Sequence, residues 1–172
     1  VLDGRLFHGD SFGAGEIGHI GVVENGDLCR CGHRGCLETV ASARRILQQA
    51  RAIAHNDPGS LLHRYSANPE AISMDVIRKA VEAGDEAVGQ LVWRAGRFLG
   101  LVAASLVAVL SVRRILIAGS ITCLGDTLLN AIREEMIGRS LAAVATQTEV
   151  AMSAMGPDIV NLGASALVLT HE

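Results

Sequence analysis

"GAGEIGHIGVVENGDLCRCGHRGC", residues 13–36, decides how this chain is read, because it opens as G-x-G-x-x-G and closes with three cysteines in eight residues. A glycine run of that kind grips pyrophosphate only where it leaves a strand and starts a helix, since the helix N-terminus is what meets the charge. Here Gly18 is followed by His19, a β-like "IGVV" and the cysteines, so no helix is expected at that point. The stretch is therefore read as a metal site. Cys29, Cys31 and Cys36 form C-x-C-x4-C, and His19 lies ten positions before Cys29. Three thiolates and one imidazole make the closed tetrahedral set that Zn2+ takes in structural sites. Gly32 and Gly35 let the backbone fold tightly, and "ENGD" supplies a turn that returns a short strand at "HIGVVE" over the loop. His33 is the rival fourth ligand, but two positions from Cys31 it would strain to converge on the same ion. The plainer alternative is three unligated thiols, with His33 and His8 at the surface.

Such an ion would be a staple for residues 13–40. It would draw Glu16, three positions before His19, and Glu38, two positions after Cys36, toward one locale. Paired carboxylates accept hydrogen bonds from vicinal hydroxyls, and a metal-bound imidazole keeps one N–H to donate to the same ligand, which describes a polyol site. Equally, Glu38 is well placed as a negative charge in the first turn of a helix, with Glu16 a solvated loop residue. Spacing alone leaves both readings open.

The rest of the chain fits an α/β domain. Its 172 residues are 49% apolar but only 3% aromatic, so the core must be built from Ala, Val, Ile and Leu, which suits helices packed on a parallel sheet. A net charge of −3 offers no footprint for a polyanion, which argues against direct contact with DNA or an anionic membrane. Clustered thiols with no signal peptide suit a reducing compartment, and a cytoplasmic protein is expected. The longest apolar run, Phe98 to Leu110, is 13 residues, short of the roughly 20 that cross a bilayer, so no membrane span is expected.

Along the chain, "VLDGRLFHG" reads as a hairpin remnant turning at Asp3-Gly4. One amphipathic helix is predicted from Glu38 to "HNDPGS", a short helix capped by Ser73 and running through Ala83, and a long helix over 86–110 that is apolar nearly all round after Phe98. That long helix is either the core or the element that passes a signal across an oligomer interface. "RRILIAGS" reads as a fully buried strand, followed by a helix over 125–137, a strand at "TEVAMSA" and a last helix from Asp158. Cys123 is read as an ordinary small residue.

"GAGEIGH" followed by "CRCGHRGCLETVAS" resembles the ROK family of bacterial sugar kinases and sugar-responsive transcriptional repressors. The resemblance implies a zinc held by His19, Cys29, Cys31 and Cys36, and sugar contacts at Glu16, His19 and Glu38. It extends to "ILIAGSITCLGDTLL", which looks like the family's adenosine-side turn with Gly119 facing the nucleotide, and to "GPDIVNLGASAL". The implied fold is the C-terminal lobe of an actin-like, ribonuclease-H-like ATPase. Residues 1–172 would form that single lobe, with a zinc-stapled loop at 13–40, a helical part at 41–110 and a strand-helix-strand-helix part at 113–172. The N-terminal lobe and any DNA-binding segment would lie outside it.

Two departures shape the functional expectation. The family's first phosphate loop and catalytic Asp have no counterpart here, and Ala118-Gly119-Ser120 stands where the kinases show consecutive glycines. The resemblance then implies the effector-binding, dimerising region of a repressor, taking a sugar or sugar phosphate and reaching DNA only through another segment, with ATP not expected. The alternative is the C-terminal part of an ATP-dependent sugar kinase.

Overall fold

The structure, a computed structural model, describes residues 6–170; the hairpin expected at Asp3-Gly4 lies outside them. The helix expected from Glu38 is two helices, α1 (Glu38–Ala41) and α2 (Ala43–Asn56). Ser42 separates them because it takes an extended backbone, φ −69° and ψ 152°, and its side chain accepts from Arg45 N at 3.2 Å as the N-cap of α2. From there Ile46, Ala50 and Ala54, spaced by four, are buried on one face.

A short helix α3 (Leu62–Tyr65) and α4 (Met74–Glu82) follow, and Ser73 accepts from Val76 N to start α4 as the sequence indicates. Asp85 then ties the helical part together. One of its oxygens caps the next helix through Val88 N at 3.1 Å, and the other accepts from Ser60 Oγ at 2.7 Å and Leu61 N at 2.8 Å. A buried carboxylate with three donors is fully satisfied, so its burial is tolerated.

The long helix α5 (Glu86–Leu110) is the axis of the fold and packs against α1, α2, α4 and, most extensively, α6 (Gly125–Arg139). By length and composition alone α5 could cross a bilayer, with a mean hydropathy of 1.5 in its most apolar window, a longer stretch than the 13-residue run suggested. Val88, Leu91, Val92, Ala95, Val102, Ala103, Ala104 and Val107 are instead buried against the protein's other helices. Burial of a Leu, Ile or Val side chain is worth about 1.5–3 kcal/mol, and across α6 the partners Leu128 and Ile132 are fully enclosed. Two glycines set how closely these helices approach. A Cβ at Gly96 would lie 2.6 Å from Ala131 Cβ, and one at Gly100 would lie 2.6 Å from the Ile132 carbonyl oxygen.

After α5 comes β1 (Arg114–Ile117), which pairs in parallel with β2 (Glu149–Met152) in the register Arg114↔Glu149 to Ile117↔Met152. The crossover between them is α6 and a short α7 (Ala142–Ala145), a βαβ unit, and α8 (Ile159–Thr170) completes the described chain. The strand expected to be fully buried is not: Leu116 is 58% exposed. Among the described residues β1 has a single neighbouring strand, and its half-buried Ile115 and Ile117 face the core while Leu116 points to the opposite face.

Glu135 bridges the two long helices, accepting from Arg97 Nε at 2.6 Å and from Arg139. Arg97, and after it Arg139, hold its carboxyl below the usual carboxylate range. A depressed value means the stability it contributes is complete above the unfolded Glu pKa of about 4.3 and is lost as pH falls through the lower folded value. Denaturant unfolding of the full-length protein should show Glu135→Gln losing on the order of 1 kcal/mol at neutral pH, with the difference shrinking below about pH 4. Gly100→Ala should cost about 1–3 kcal/mol in the same assay, because the added methyl meets backbone on α6.

Candidate metal centre

Residues 16–38 fold as a knuckle on the end of the helical part. Glu16 precedes a single 3-10 turn, Ile17–His19, so no α-helix starts at Gly18 and the phosphate-binding reading of the glycine run has no physical basis. The strand expected at "HIGVVE" is also absent. Only one isolated bridge, Gly21 to Cys36, forms there. The segment is held instead by Val22 N and Val23 N, which donate to Gly35 O at 2.8 and 3.1 Å, and by Leu37 N, which donates to Ile20 O at 2.9 Å. Two donors converging on one carbonyl cannot propagate a ladder, but they do lay the His19 segment across Cys36.

The cysteine turn is closed by Cys29 N to His33 O at 2.7 Å and Gly32 N to Cys29 O at 2.9 Å. Gly35 is required here: its φ is +72°, and a Cβ would sit 1.7 Å from Val23 O. "ENGD" turns as expected, with Asn25 in the left-handed region at φ 55°.

These turns bring His19, Cys29, Cys31 and Cys36 together, one ligand atom from each lying within 4.8 Å of the others. Cys29 Sγ is 3.5 Å from His19 Nδ1, and Cys31 Sγ is 3.6 Å from Cys36 Sγ. Tetrahedral bonds of about 2.3 Å to sulfur and about 2.0–2.1 Å to nitrogen separate two sulfurs by about 3.8 Å and a sulfur from a nitrogen by about 3.5 Å. The donor set and its spacing therefore fit Zn2+, which these four residues would hold with no open position. His33 Nδ1 reaches Cys31 Sγ at 3.6 Å but is not one of the four.

Burial divides the thiols. Cys36 is fully enclosed, and burial pushes its thiol up to about 12. Cys31 is exposed, and the backbone hydrogen bond at His33 draws its thiol down. A thiol placed like that of Cys36 is protonated at neutral pH unless a cation replaces the proton.

The imidazole of His19 faces two ways. Nδ1 is turned to sulfur, while Nε2 lies 3.7 Å from Glu16 Oε2 and 3.9 Å from Glu38 Oε2. Both carboxylates singled out in the sequence thus stand at one nitrogen of one ring. Glu38 is also the first residue of α1, so its helix position and its place beside His19 coexist. A residue not anticipated completes the group: Arg30 grips Glu38 with Nη2 to Oε2 at 3.3 Å and Nε to Oε1 at 3.2 Å. Its position between Cys29 and Cys31, turned away from the shared ligand point, was the available signal. Gly119 lies elsewhere, between β1 and α6, at φ +90° with open space where a Cβ would be. Cys123 is exposed and donates to Ser120 O at 3.1 Å.

Residues 1–171 match the ROK family model, and the chain belongs to the ROK family. It is 34% identical to a glucokinase of Halalkalibacterium halodurans over its whole length, covering 52% of that protein. It is 32% identical to the DNA-binding transcriptional dual regulator NagC of Escherichia coli, with 98% of this chain and 40% of that protein covered. In structure it superimposes with a TM-score of 0.84 and 26% identity on a ROK family glucokinase from Streptomyces griseus in complex with glucose and AMPPNP, over 95% of this chain and 54% of that one. The fold is accordingly the α/β actin-like ATPase architecture. The chain spans about half or less of the length of the relatives it matches.

Metal analysis of the full-length protein should find about one zinc per chain. Chelation or Cys36→Ser should open residues 13–40 to protease and lower stability by several kcal/mol, on the order of a large share of the about 10 kcal/mol that structural zinc contributes in finger peptides. Equal protection with and without chelator would contradict the fit.

Proposed function

We propose that the chain is the sugar-effector-binding and dimerising region of a ROK-family transcriptional regulator. In this reading zinc on His19, Cys29, Cys31 and Cys36 is purely structural. It supplies a fixed orientation for His19 and no step of chemistry. With Nδ1 on the metal, Nε2 carries the remaining proton and donates to a sugar oxygen, while Glu16 and Glu38 accept from adjacent hydroxyls. The observation that supports it is the position of both carboxylates at His19 Nε2, on the side of the ring away from the sulfurs. A sugar or sugar phosphate would bias the arrangement of the whole protein, DNA being reached through a segment other than this one. Such a protein works in the cytoplasm, as a homodimer or higher oligomer.

The regulator is favoured over the kinase by Ala118 and Ser120, which place side chains on both sides of Gly119 in the turn after β1. The kinase reading has its own support. Gly119 is left-handed and open at the C-terminal end of a parallel strand, where a nucleotide's phosphates approach in α/β folds, and a glucokinase is similar over the whole chain.

Calorimetry on the full-length protein with a panel of neutral hexoses should detect binding, weakened about 10–100-fold by Glu16→Gln or Glu38→Gln, in line with about 1.5–3 kcal/mol per charge-assisted hydrogen bond. Incubation with hexose and ATP should yield no sugar phosphate. Turnover would establish the kinase.

A further inference from the structure

Beside the sugar site lies a cleft of about 180 Å³ that runs from the cysteine turn to the start of α2, lined by Asp27, Arg30, Glu38, Ser42, Arg44 and Arg45 among others. Its two carboxylates are already engaged. Asp27 Oδ2 accepts from Arg45 Nη2 at 2.5 Å, and both oxygens of Glu38 face Arg30. Its donors are in excess. Arg30 gives Glu38 one hydrogen bond, from Nη2, and pairs with its other oxygen through Nε, while its Nη1 makes no hydrogen bond among the described residues. Arg44 is exposed and has no hydrogen-bond or ion-pair partner among the described residues. Arg45 Nε is buried without a partner among the described residues, and the Ser42 hydroxyl, which accepts from Arg45 N, still has its own proton to give.

Three guanidiniums against two neutralised carboxylates leave the cleft positive and rich in donors, at the edge of the site where Glu38 would hold a hydroxyl. Resting on the sugar-binding reading above, we propose that Arg30 and Arg44 form an anion subsite, so that the effector is an acidic sugar carrying a carboxylate or a phosphate on the ring edge next to Glu38. Planar guanidiniums match either group with paired N–H···O bonds. Arg30 has a double part: it neutralises Glu38, so that a second negative charge is accepted nearby, and it offers its remaining donors to that charge.

The test is calorimetry on the zinc-loaded full-length protein, comparing each neutral hexose with its uronic acid and its 1- and 6-phosphates at low salt. An anionic form should bind at least about tenfold more tightly than its neutral parent, the scale of one charge-assisted contact, and the preference should fall with added salt. In Arg30→Gln, Arg44→Gln and the double variant, all at exposed positions, the anionic-to-neutral ratio should fall toward one. Whether the uronate or a phosphate shows the preference identifies the anion. A ratio near one in the unaltered protein, with neutral sugar bound, overturns the subsite and leaves the sugar site standing. A ratio that survives the double variant also overturns it. Failure of every sugar, neutral or acidic, to bind overturns the sugar site and the subsite together.

Discussion

Cys36, Leu37 and Glu38 are consecutive in sequence and face three different surroundings. The Cys36 sulfur meets those of the cysteine turn, Leu37 is buried in the hydrophobic core, and Glu38 opens α1 beside His19. The convergence of three thiols and an imidazole around Cys36 is the constraint on which the site depends. A loop of this composition buries little apolar surface of its own, so something other than a hydrophobic core must hold it. A single ion at that point would lock the knuckle to the helical part through one residue, and through the ring of His19 it would fix the direction in which Nε2 points. The two acidic side chains then have a rigid reference to act against.

The helical part supplies the platform. The close approach of α5 and α6 at Gly96 and Gly100, the ties from Asp85 and the bridge at Glu135 make a body that gives α1 and α2 fixed origins. Glu38 stands at the first of these origins and Arg44 and Arg45 at the second, with the break at Ser42 between them. It turns the chain between Glu38 and the two arginines, which line one cleft together.

The parts of this arrangement legible in the sequence were those governed by local chemistry. Three cysteines and a histidine have few ways to use one another, so the convergence of these four side chains could be expected from spacing. The long run of small and aliphatic residues marked α5 at its observed bounds, and Ser73 marked the start of α4. What escaped depends on long-range or competing contacts. The β-like "IGVV" forms no strand because Gly35 takes the donors of both Val22 and Val23. Ser42 looked like a helix-interior residue because the usual acidic partner three positions on is Arg45, so the cap gave no capping-box signal. The pairing of Arg30 with Glu38 and of Arg45 with Asp27, eight and eighteen residues apart, follows from the knuckle's path and has no periodicity to betray it. The exposure of Leu116 likewise depends on which neighbours a strand has, which its own residues do not state.

One ion joining three sulfurs to a nitrogen of His19 would fix the direction of the other nitrogen, toward Glu16 and Glu38. X-ray absorption at the zinc K-edge of the full-length protein reads that ligand shell. The predicted first shell is three sulfurs at about 2.3 Å and one nitrogen at about 2.0–2.1 Å, with no oxygen. A shell of oxygens or of four sulfurs, or a protein that folds and binds sugar with no zinc at all, would contradict it.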